Sequence, residues 1–193
     1  NKIKNKILNP IINSVLDNQL FKDDLFAQKE FMNQNYIFVN CKKISSSSDF
    51  ENIGSKLFDY LKKNKIEISY IDFDKTDFIQ DQLEKIIHGA KLKSYNFNIY
   101  KSNNKKNKNI NLYVVGKQIR KPNSLRKNLD ALLDGVFFTR DLVSEPGNIL
   151  HPDEYANRLA KLKKIGLQIK IYDEKKLKKI GCNALLGVGQ GSI

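Results

Sequence analysis

Apolar residues recur every three or four positions in several stretches of this sequence, the spacing that buries one face of an α-helix. The pattern predicts helices over residues 49–64, 77–90, 124–143, 152–165 and 173–180. Asp49 and Asp77 are predicted N-caps, because a short carboxylate accepts hydrogen bonds from free backbone N–H groups. Pro152 suits the first position of its helix and Gly166 the C-terminal cap of the same helix.

Shorter apolar or alternating runs between these helices predict strands. They cover residues 36–40, 66–73, 111–116, 167–171 and 184–188. Alternation of strands and helices favours an α/β fold in which helices flank a mostly parallel sheet. Residues 145–152 hold two prolines and a glycine between two strong helices, so this junction is the predicted domain boundary.

The composition is that of a soluble globular protein, with 193 residues, 40% hydrophobic and 28% charged. No apolar run approaches the roughly 18–20 residues of a membrane span. The amino terminus lacks the apolar core of a signal peptide, and Cys41 and Cys182 do not make a disulfide scaffold. These features predict a cytoplasmic protein. Because the chain starts with Asn and its single Met is Met32, we expect a fragment.

Positive charge is concentrated between residues 101 and 127, within a chain of net charge +13. Two interpretations are open: a nucleic-acid-binding patch that neutralises phosphates, or a lysine-rich loop and helix end in solvent. Aromatic interleaving is limited to Tyr113, which favours the solvated loop. The nine basic residues are Lys101, Lys105, Lys106, Lys108, Lys117, Arg120, Lys121, Arg126 and Lys127.

The sequence offers few candidate residues for catalysis, metal binding or phosphate binding. His88 and His151 are each isolated, so a self-contained metal site is not predicted. The glycines between Gly187 and Gly191 do not have the spacing of a dinucleotide or P-loop fingerprint. Acidic pairs such as Asp72 with Asp74 and Asp153 with Glu154 are explained by loop ends and helix first turns. We therefore predict no catalytic, metal-binding or substrate-binding residue within these 193 positions.

Three motifs resemble the leucine aminopeptidase (cytosol aminopeptidase) family. Residues 138–156 read FTRDLVSEPGNILHPDEYA, close to the family pattern RDLVNEPANxLTPxEFA. Residues 177–192 read LKKIGCNALLGVGQGS, similar to LxxLGMGALLGVGQGS, and residues 88–102 are similar to EGAxLxSYxFxxYKS. The resemblance covers residues 86–192.

The resemblance implies an amino-terminal α/β domain over residues 36–144, followed by the linker and beginning of a metallopeptidase catalytic domain over 145–193. Residues 1–35 remain unassigned. The family's enzymes are cytoplasmic homohexamers that remove amino-terminal residues from peptides with two divalent metal ions, manganese or zinc. Their ligands follow the GVGQGS segment, so no ligand or catalytic role is carried over. We expect the chain alone to be inactive.

Several residues depart from the family patterns. His151 stands where the family has Thr, and it is expected to cap the helix at Pro152 poorly. Ser144, Gly147 and the pair Cys182-Asn183 are further departures. Two alternatives to an aminopeptidase fragment therefore stay open: a noncatalytic nucleic-acid-binding module that uses the basic residues of 101–127, and a decayed gene product.

Overall fold

The computed structural model describes residues 25–31, 33–39, 44, 46–75, 78–102, 109–117 and 124–190. The chain forms two compact units, residues 1–50 and 51–193. The described part combines helices with small two-stranded sheets, which confirms the predicted α/β class.

A β-hairpin is the regular sheet structure of the first unit. Strand β1 (Phe26–Phe31) pairs antiparallel with β2 (Gln34–Val39), and Phe31 lies opposite Gln34 across a two-residue connection. Asn33 in that connection has a φ of 57°, a left-handed conformation that asparagine tolerates better than most residues. The apolar run at 36–40 predicted β2, but β1 was missed because Gln28, Lys29 and Glu30 interrupt its apolar pattern.

Helix α1 (Ser47–Lys63) confirms the first predicted helix, but not its predicted cap. The Asp49 backbone N–H donates to Ser46 Oγ over 3.3 Å, and the Ser46 N–H donates to Asp49 Oδ2 over 2.7 Å. Ser46 is thus the cap, and Asp49 is its reciprocal partner three residues on. The Ser46 side chain therefore accepts from a free N–H group at the start of α1, the role that was predicted for Asp49.

In the second unit, strands β3 (Ile68–Asp72) and β4 (Asn111–Val115) form a parallel pair, as the alternating strand and helix pattern predicts. Ile68 lies opposite Asn111 and Asp72 opposite Val115. One face of the pair is half-buried, and the other is exposed and carries stacked rings of Tyr70 and Tyr113, with centroids 5.4 Å apart. A short 3₁₀ turn, Phe73–Lys75, follows β3.

Helix α2 (Gln80–Lys93) packs directly against α1. A Cβ at Gly54 would lie 1.8 Å from the Ile86 carbonyl oxygen, and one at Gly89 would lie 2.0 Å from the Glu51 carbonyl oxygen. Only glycine permits this backbone approach. The buried side chains of the described part of this unit lie on α1, on α2 and in the 3₁₀ turn after β3: Ile53, Leu57, Leu61, Phe73, Leu83, Glu84, Ile86, His88 and Ala90.

The amino-terminal cap of α2 differs from the prediction. Ile79 occupies the N-cap position, and its backbone N–H donates to Gln82 Oε1 over 3.1 Å. The Gln82 side chain therefore satisfies the backbone N–H of the N-cap residue, whereas a capping carboxylate would accept from N–H groups within the first turn. Asp77, the predicted cap, lies outside the described residues.

The rest of the chain is helical in the described part. Helix α3 (Ser124–Ser144) and helix α4 (Pro152–Ala160) confirm the predictions, and the 3₁₀ turn Lys161–Ile165 ends at Gly166, whose φ is 94°. Helix α5 (Glu174–Lys179) begins after Asp173, whose carboxylate accepts from the Lys176 N–H. The last helix is α6 (Asn183–Gly189).

Two predicted strands near the carboxyl end are wrong. Residues 167–171 have no regular secondary structure, and residues 184–188 lie in α6. A strand must pair its backbone with a neighbour, and neither segment has a partner strand among the described residues. A helix satisfies its backbone within itself, so the apolar run of 184–188 forms one.

Candidate functional site

Glu145, the residue after α3, lies at the centre of a polar group that we call the junction cluster: Tyr100, Glu145, Glu154 and Arg158. The Glu145 side chain is 5% exposed, and its carboxylate accepts a hydrogen bond from the Tyr100 hydroxyl. Arg158 Nη1 donates to Glu145 Oε1 over 2.8 Å, and Arg158 Nε donates to Glu154 Oε1 over 2.8 Å. One guanidinium therefore ties α4 to the end of α3.

These bonds set the charge states of the junction cluster. The Tyr100 hydrogen bond and the Arg158 hydrogen bond lower the pKa of Glu145 below 4.5. The same bond to the Glu145 carboxylate raises the pKa of Tyr100. Arg158 also lowers the pKa of Glu154 through its hydrogen bond. At neutral pH the cluster therefore holds two carboxylates, one guanidinium and an un-ionised phenol, which is a structural clamp rather than an acid–base pair.

A second group, the Tyr95 cluster, consists of Tyr95, Phe137, Arg140 and Asp141. It joins the segment after α2, which also contains Tyr100, to α3. The Tyr95 hydroxyl donates to Asp141 Oδ1 over 2.9 Å. The Tyr95 ring packs on Phe137, with centroids 5.2 Å apart, and the Arg140 guanidinium lies 5.4 Å from the ring centroid. Arg140 Nη1 also donates to the Leu92 carbonyl oxygen over 2.7 Å. Burial, followed by the hydrogen bond with Asp141, raises the pKa of Tyr95.

The junction cluster and the Tyr95 cluster bring together two of the three family motifs. Tyr95 and Tyr100 belong to the motif at 88–102, whereas Asp141 and Glu145 belong to the motif at 138–156. Gly89 of the first motif makes the close approach to α1. The residues shared with the family in these two motifs thus have packing roles in this chain.

A third group of charges, the interhelix cluster, lines a small cavity between α2 and α3. Lys91 Nζ lies 2.6 Å from Asp130 Oδ1, and Arg126 Nε lies 3.8 Å from Glu84 Oε2. His88 is 3% exposed, and its Nδ1 atom has no hydrogen-bond partner among the described residues. The structure therefore buries His88 against this cavity.

The interhelix cluster does not fit a divalent metal ion. Two carboxylates and one imidazole face the cavity, but Lys91 and Arg126 lie among them and already compensate both carboxylates. A metal would compete with these two cations for every anionic oxygen. No group of three or more His, Cys, Asp or Glu side chains suited to a metal is present in the part of the chain that the structure describes.

The basic residues between 101 and 127 do not all form one free surface. Arg126 faces Glu84 and Asp130, and its charge is therefore compensated inside the interhelix cluster. Lys101, Lys117 and Lys127 are exposed. The other five, Lys105, Lys106, Lys108, Arg120 and Lys121, lie outside the described residues.

The structure also shows the surroundings of the other residues that the sequence offered as candidates for a site. The His151 side chain makes no capping hydrogen bond at the start of α4, as its poor capping ability predicts. Cys182 is half-exposed rather than buried, and Cys41 lies outside the described residues. Asp74 accepts from the Lys117 N–H over 2.9 Å. Gly187 and Gly189 lie within α6.

Arg158 is the residue of the junction cluster that sequence reasoning missed. Its spacing of four from Glu154 on a predicted helix was a signal for one of its two ion pairs. The pair with Glu145 crosses the break at Pro146. The prolines and glycine of residues 145–152 predicted a break there, but not that Arg158 would meet Glu145 across it.

Comparisons with known proteins agree on one family. Residues 137–193 match the family model "Cytosol aminopeptidase family, catalytic domain". A probable cytosol aminopeptidase of Caulobacter vibrioides is 43% identical over 108 residues, 54% of this chain and 22% of the relative. That of Phytoplasma mali is 36% identical over 143 residues, 72% of this chain and 28% of the relative. The probable cytosol aminopeptidase of Nitrobacter hamburgensis is 32% identical over 178 residues, which are 88% of this chain and 35% of the relative.

A solved structure supports the fold. A tomato leucine aminopeptidase mutant superposes with a TM-score of 0.71 at 19% identity, over 91% of this chain and 37% of that chain. These matches confirm the family that the motifs predict, the cytosol aminopeptidase family. It spans between 22% and 35% of the length of the three relatives named above.

Within the described ranges, no helix is both long and apolar enough to cross a bilayer.

Proposed function

We propose that this chain supplies the amino-terminal α/β domain and the beginning of the catalytic domain of a cytoplasmic leucine aminopeptidase. The match of residues 137–193 to the catalytic-domain family model is the observation that carries the proposal. The domain boundaries that we propose are residues 36–144 and 145–193, with residues 1–35 unassigned. The word "cytosol" in the relatives' names supports the cytoplasmic location.

The complete enzyme, in this proposal, is a homohexamer that removes amino-terminal residues from peptides. It uses two divalent ions, manganese or zinc, whose ligands follow residue 193 in the family pattern. The described residues do not offer a fitting donor set. We therefore propose that the 193-residue chain has no peptidase activity by itself, and that all its described polar clusters are structural.

The role of this chain in the complete enzyme is to fix the start of the catalytic domain. Glu145 receives hydrogen bonds from Tyr100 on one side and from Arg158 on the other. A buried carboxylate with two donors holds its neighbours in one arrangement, because loss of either donor leaves a charge that is poorly solvated. We propose that this clamp sets the direction in which α4 leaves the end of α3.

Activity is tested with three proteins: this chain, the intact Phytoplasma mali relative, and a hybrid. The hybrid carries residues 1–193 of this chain followed by the part of the relative that lies beyond its aligned segment. Each is assayed for release of p-nitroaniline from leucine p-nitroanilide, with manganese or zinc and then with a chelator. We expect no hydrolysis by the chain, and chelator-sensitive hydrolysis by the relative and the hybrid.

Two results would contradict the proposed function. The first is metal-dependent hydrolysis by the purified 193-residue chain. The second is a hybrid that is folded and hexameric but inert under conditions in which the relative is active.

A further inference from the structure

His88 on α2 is a buried polar side chain that the packing around it does not satisfy. It is 3% exposed, and its Nδ1 atom has no hydrogen-bond partner within the described part of the chain. A buried polar atom without a partner is costly, and most such atoms in folded proteins bond either to the protein or to ordered water. The Nδ1 atom therefore requires a partner that the described side chains do not supply.

The cavity beside His88 sets the size of that partner. It lies between α2 and α3, and the space that the centre of a water molecule can occupy in it is about 10 Å³. A cavity needs roughly 10–15 Å³ by this measure to hold one water molecule. The cavity therefore has room for a single water and excludes a phosphate, a nucleotide or a peptide.

The charges that line the cavity are balanced. Lys91 Nζ lies 2.6 Å from Asp130 Oδ1. Arg126 Nε lies 3.8 Å from Glu84 Oε2 and 3.9 Å from Asp130 Oδ2. Because two cations offset two carboxylates, neither a metal ion nor an inorganic anion meets a surplus of opposite charge here. A neutral ligand that both donates and accepts hydrogen bonds fits this lining.

Glu84 supplies the second buried partner for such a ligand. Its side chain is 5% exposed, and its Oε2 atom is too far from Arg126 Nε, at 3.8 Å, for a hydrogen bond. Glu84 and His88 are four positions apart on α2, so their Cβ atoms lie about 5–6 Å apart on one face of the helix. One water with hydrogen bonds of about 2.8 Å on either side bridges polar atoms on side chains at this spacing.

We propose that this cavity is a binding site for one ordered water molecule, which bridges His88 Nδ1 and the Glu84 carboxylate. The water donates one hydrogen bond to the carboxylate, and its other bond joins the imidazole. The bridge satisfies two buried groups of α2 and leaves the ion pair of Lys91 with Asp130 intact. The site is independent of the proposed peptidase function, since it needs neither substrate nor metal.

Relaxation dispersion of the water signal tests the site, because it counts the waters that stay bound to a protein for longer than nanoseconds. It is measured on the 193-residue chain and on His88→Leu, which removes both hydrogen-bonding atoms of the side chain. We expect His88→Leu to lose one long-lived water. His151→Leu is the matched control, because His151 is exposed, and it should leave the number unchanged.

A second measurement needs no variant. In the isotope-labelled parent chain, a nuclear Overhauser effect between water and the ring protons of His88 reports a water held beside the imidazole. We expect a cross-peak with the sign of a slowly exchanging water. This measurement decides the question if His88→Leu fails to fold.

Two results would overturn the water site. One is the same number of long-lived waters in the parent and in a folded His88→Leu variant. The other is a parent chain in which the His88 ring shows no Overhauser effect with water.

Discussion

The Tyr95 hydroxyl donates a hydrogen bond to Asp141 Oδ1 over 2.9 Å and so joins two family motifs that are 46 positions apart in the chain. Asp141 lies on α3, and Tyr95 lies in the segment that follows α2. The contact gives this tyrosine and this aspartate a structural role, because it attaches α3 to the segment after α2. Helix α3 leads into the segment that matches the catalytic domain.

A double-mutant cycle tests this attachment. Tyr95→Phe removes the donor and Asp141→Asn removes the charge of the acceptor. We expect each single variant to lower the urea midpoint and the double variant to lower it by less than the sum, since Tyr95→Phe deletes the hydrogen bond that Asp141→Asn weakens. Tyr95→Phe combined with Asp153→Asn, an exposed residue of α4, is the control and should be additive. Additivity of the Tyr95 and Asp141 variants would contradict the contact.

The glycine contact between α1 and α2 gives a second prediction. Gly54→Ala would place a methyl group 1.8 Å from the Ile86 carbonyl oxygen, so the helices must separate. We expect a loss of about 1–3 kcal/mol in the free energy of unfolding, as for other overpacked cores. Gly135→Ala is the control, because nothing lies within 4 Å of the added Cβ on α3. That variant should gain about 0.5–1 kcal/mol from helix propensity.

Urea unfolding of Gly54→Ala and Gly135→Ala tests whether α1 and α2 approach closely at Gly54. If Gly54→Ala and Gly135→Ala shift the free energy of unfolding in the same direction, the close approach of α1 and α2 is wrong. Gly89→Ala, which meets the Glu51 carbonyl oxygen at 2.0 Å, should behave as Gly54→Ala does.

The location of the core gives a third prediction. Leu61 is 1% exposed, and Leu61→Ala is expected to cost about 2–5 kcal/mol because it leaves a cavity among α1 and its neighbours. Leu132→Ala on α3 deletes the same atoms from a side chain that is 55% exposed, and it should cost no more than about 0.5 kcal/mol. Chemical denaturation of the two variants measures the difference. Equal losses would place the core elsewhere.

The pH dependence of stability follows from the junction cluster. The folded pKa of Glu145 is below 4.5, so its contribution to stability is fully present above that value and is lost as the pH falls through the folded pKa. Tyr100→Phe removes the first cause of the lowered pKa. The variant should therefore lose less stability than the parent chain between about pH 7 and about pH 3.

The same bond acts at the other end of the pH range. The folded pKa of Tyr100 is above 10.0, so its contribution is present below that value and lost as the pH rises through the folded pKa. Tm is measured against pH for the parent, for Tyr100→Phe, and for Tyr155→Phe, an exposed control on α4. Identical profiles for the parent and Tyr100→Phe would contradict the role of the junction cluster.

Metal addition gives the fifth prediction. A ligand that binds the folded state raises its Tm, and the interhelix cluster already balances its carboxylates with Lys91 and Arg126. Manganese or zinc should therefore leave the Tm of the 193-residue chain unchanged, whereas the hybrid should be stabilised. A metal-dependent rise in the Tm of the chain that His88→Gln abolishes would show that the cavity between α2 and α3 holds an ion.

Much of the fold could be predicted from local sequence alone. Helices α1 to α5 and strands β2 to β4 have apolar spacing that only one regular structure buries efficiently. Gly166 ends its helical segment as predicted, because a left-handed φ is a local property of the backbone that glycine adopts easily. The family was predicted in the same way, since its motifs are continuous stretches of sequence.

What the tertiary structure decided depends on contacts between distant residues. The apolar run at 184–188 has the composition of a strand, but a strand exists only where a neighbour accepts its hydrogen bonds, so the described chain forms α6 there. The sequence did not distinguish Glu145 from the other acidic residues. Only the fold brings Tyr100 and Arg158 within hydrogen-bond distance of its carboxylate. The sequence by itself determined helices α1 to α5 and the family resemblance, because both are local patterns. The packing of α1 on α2, the clamp on Glu145 and the exposure of Leu185 and Val188 were decided only when the chain brought remote residues together.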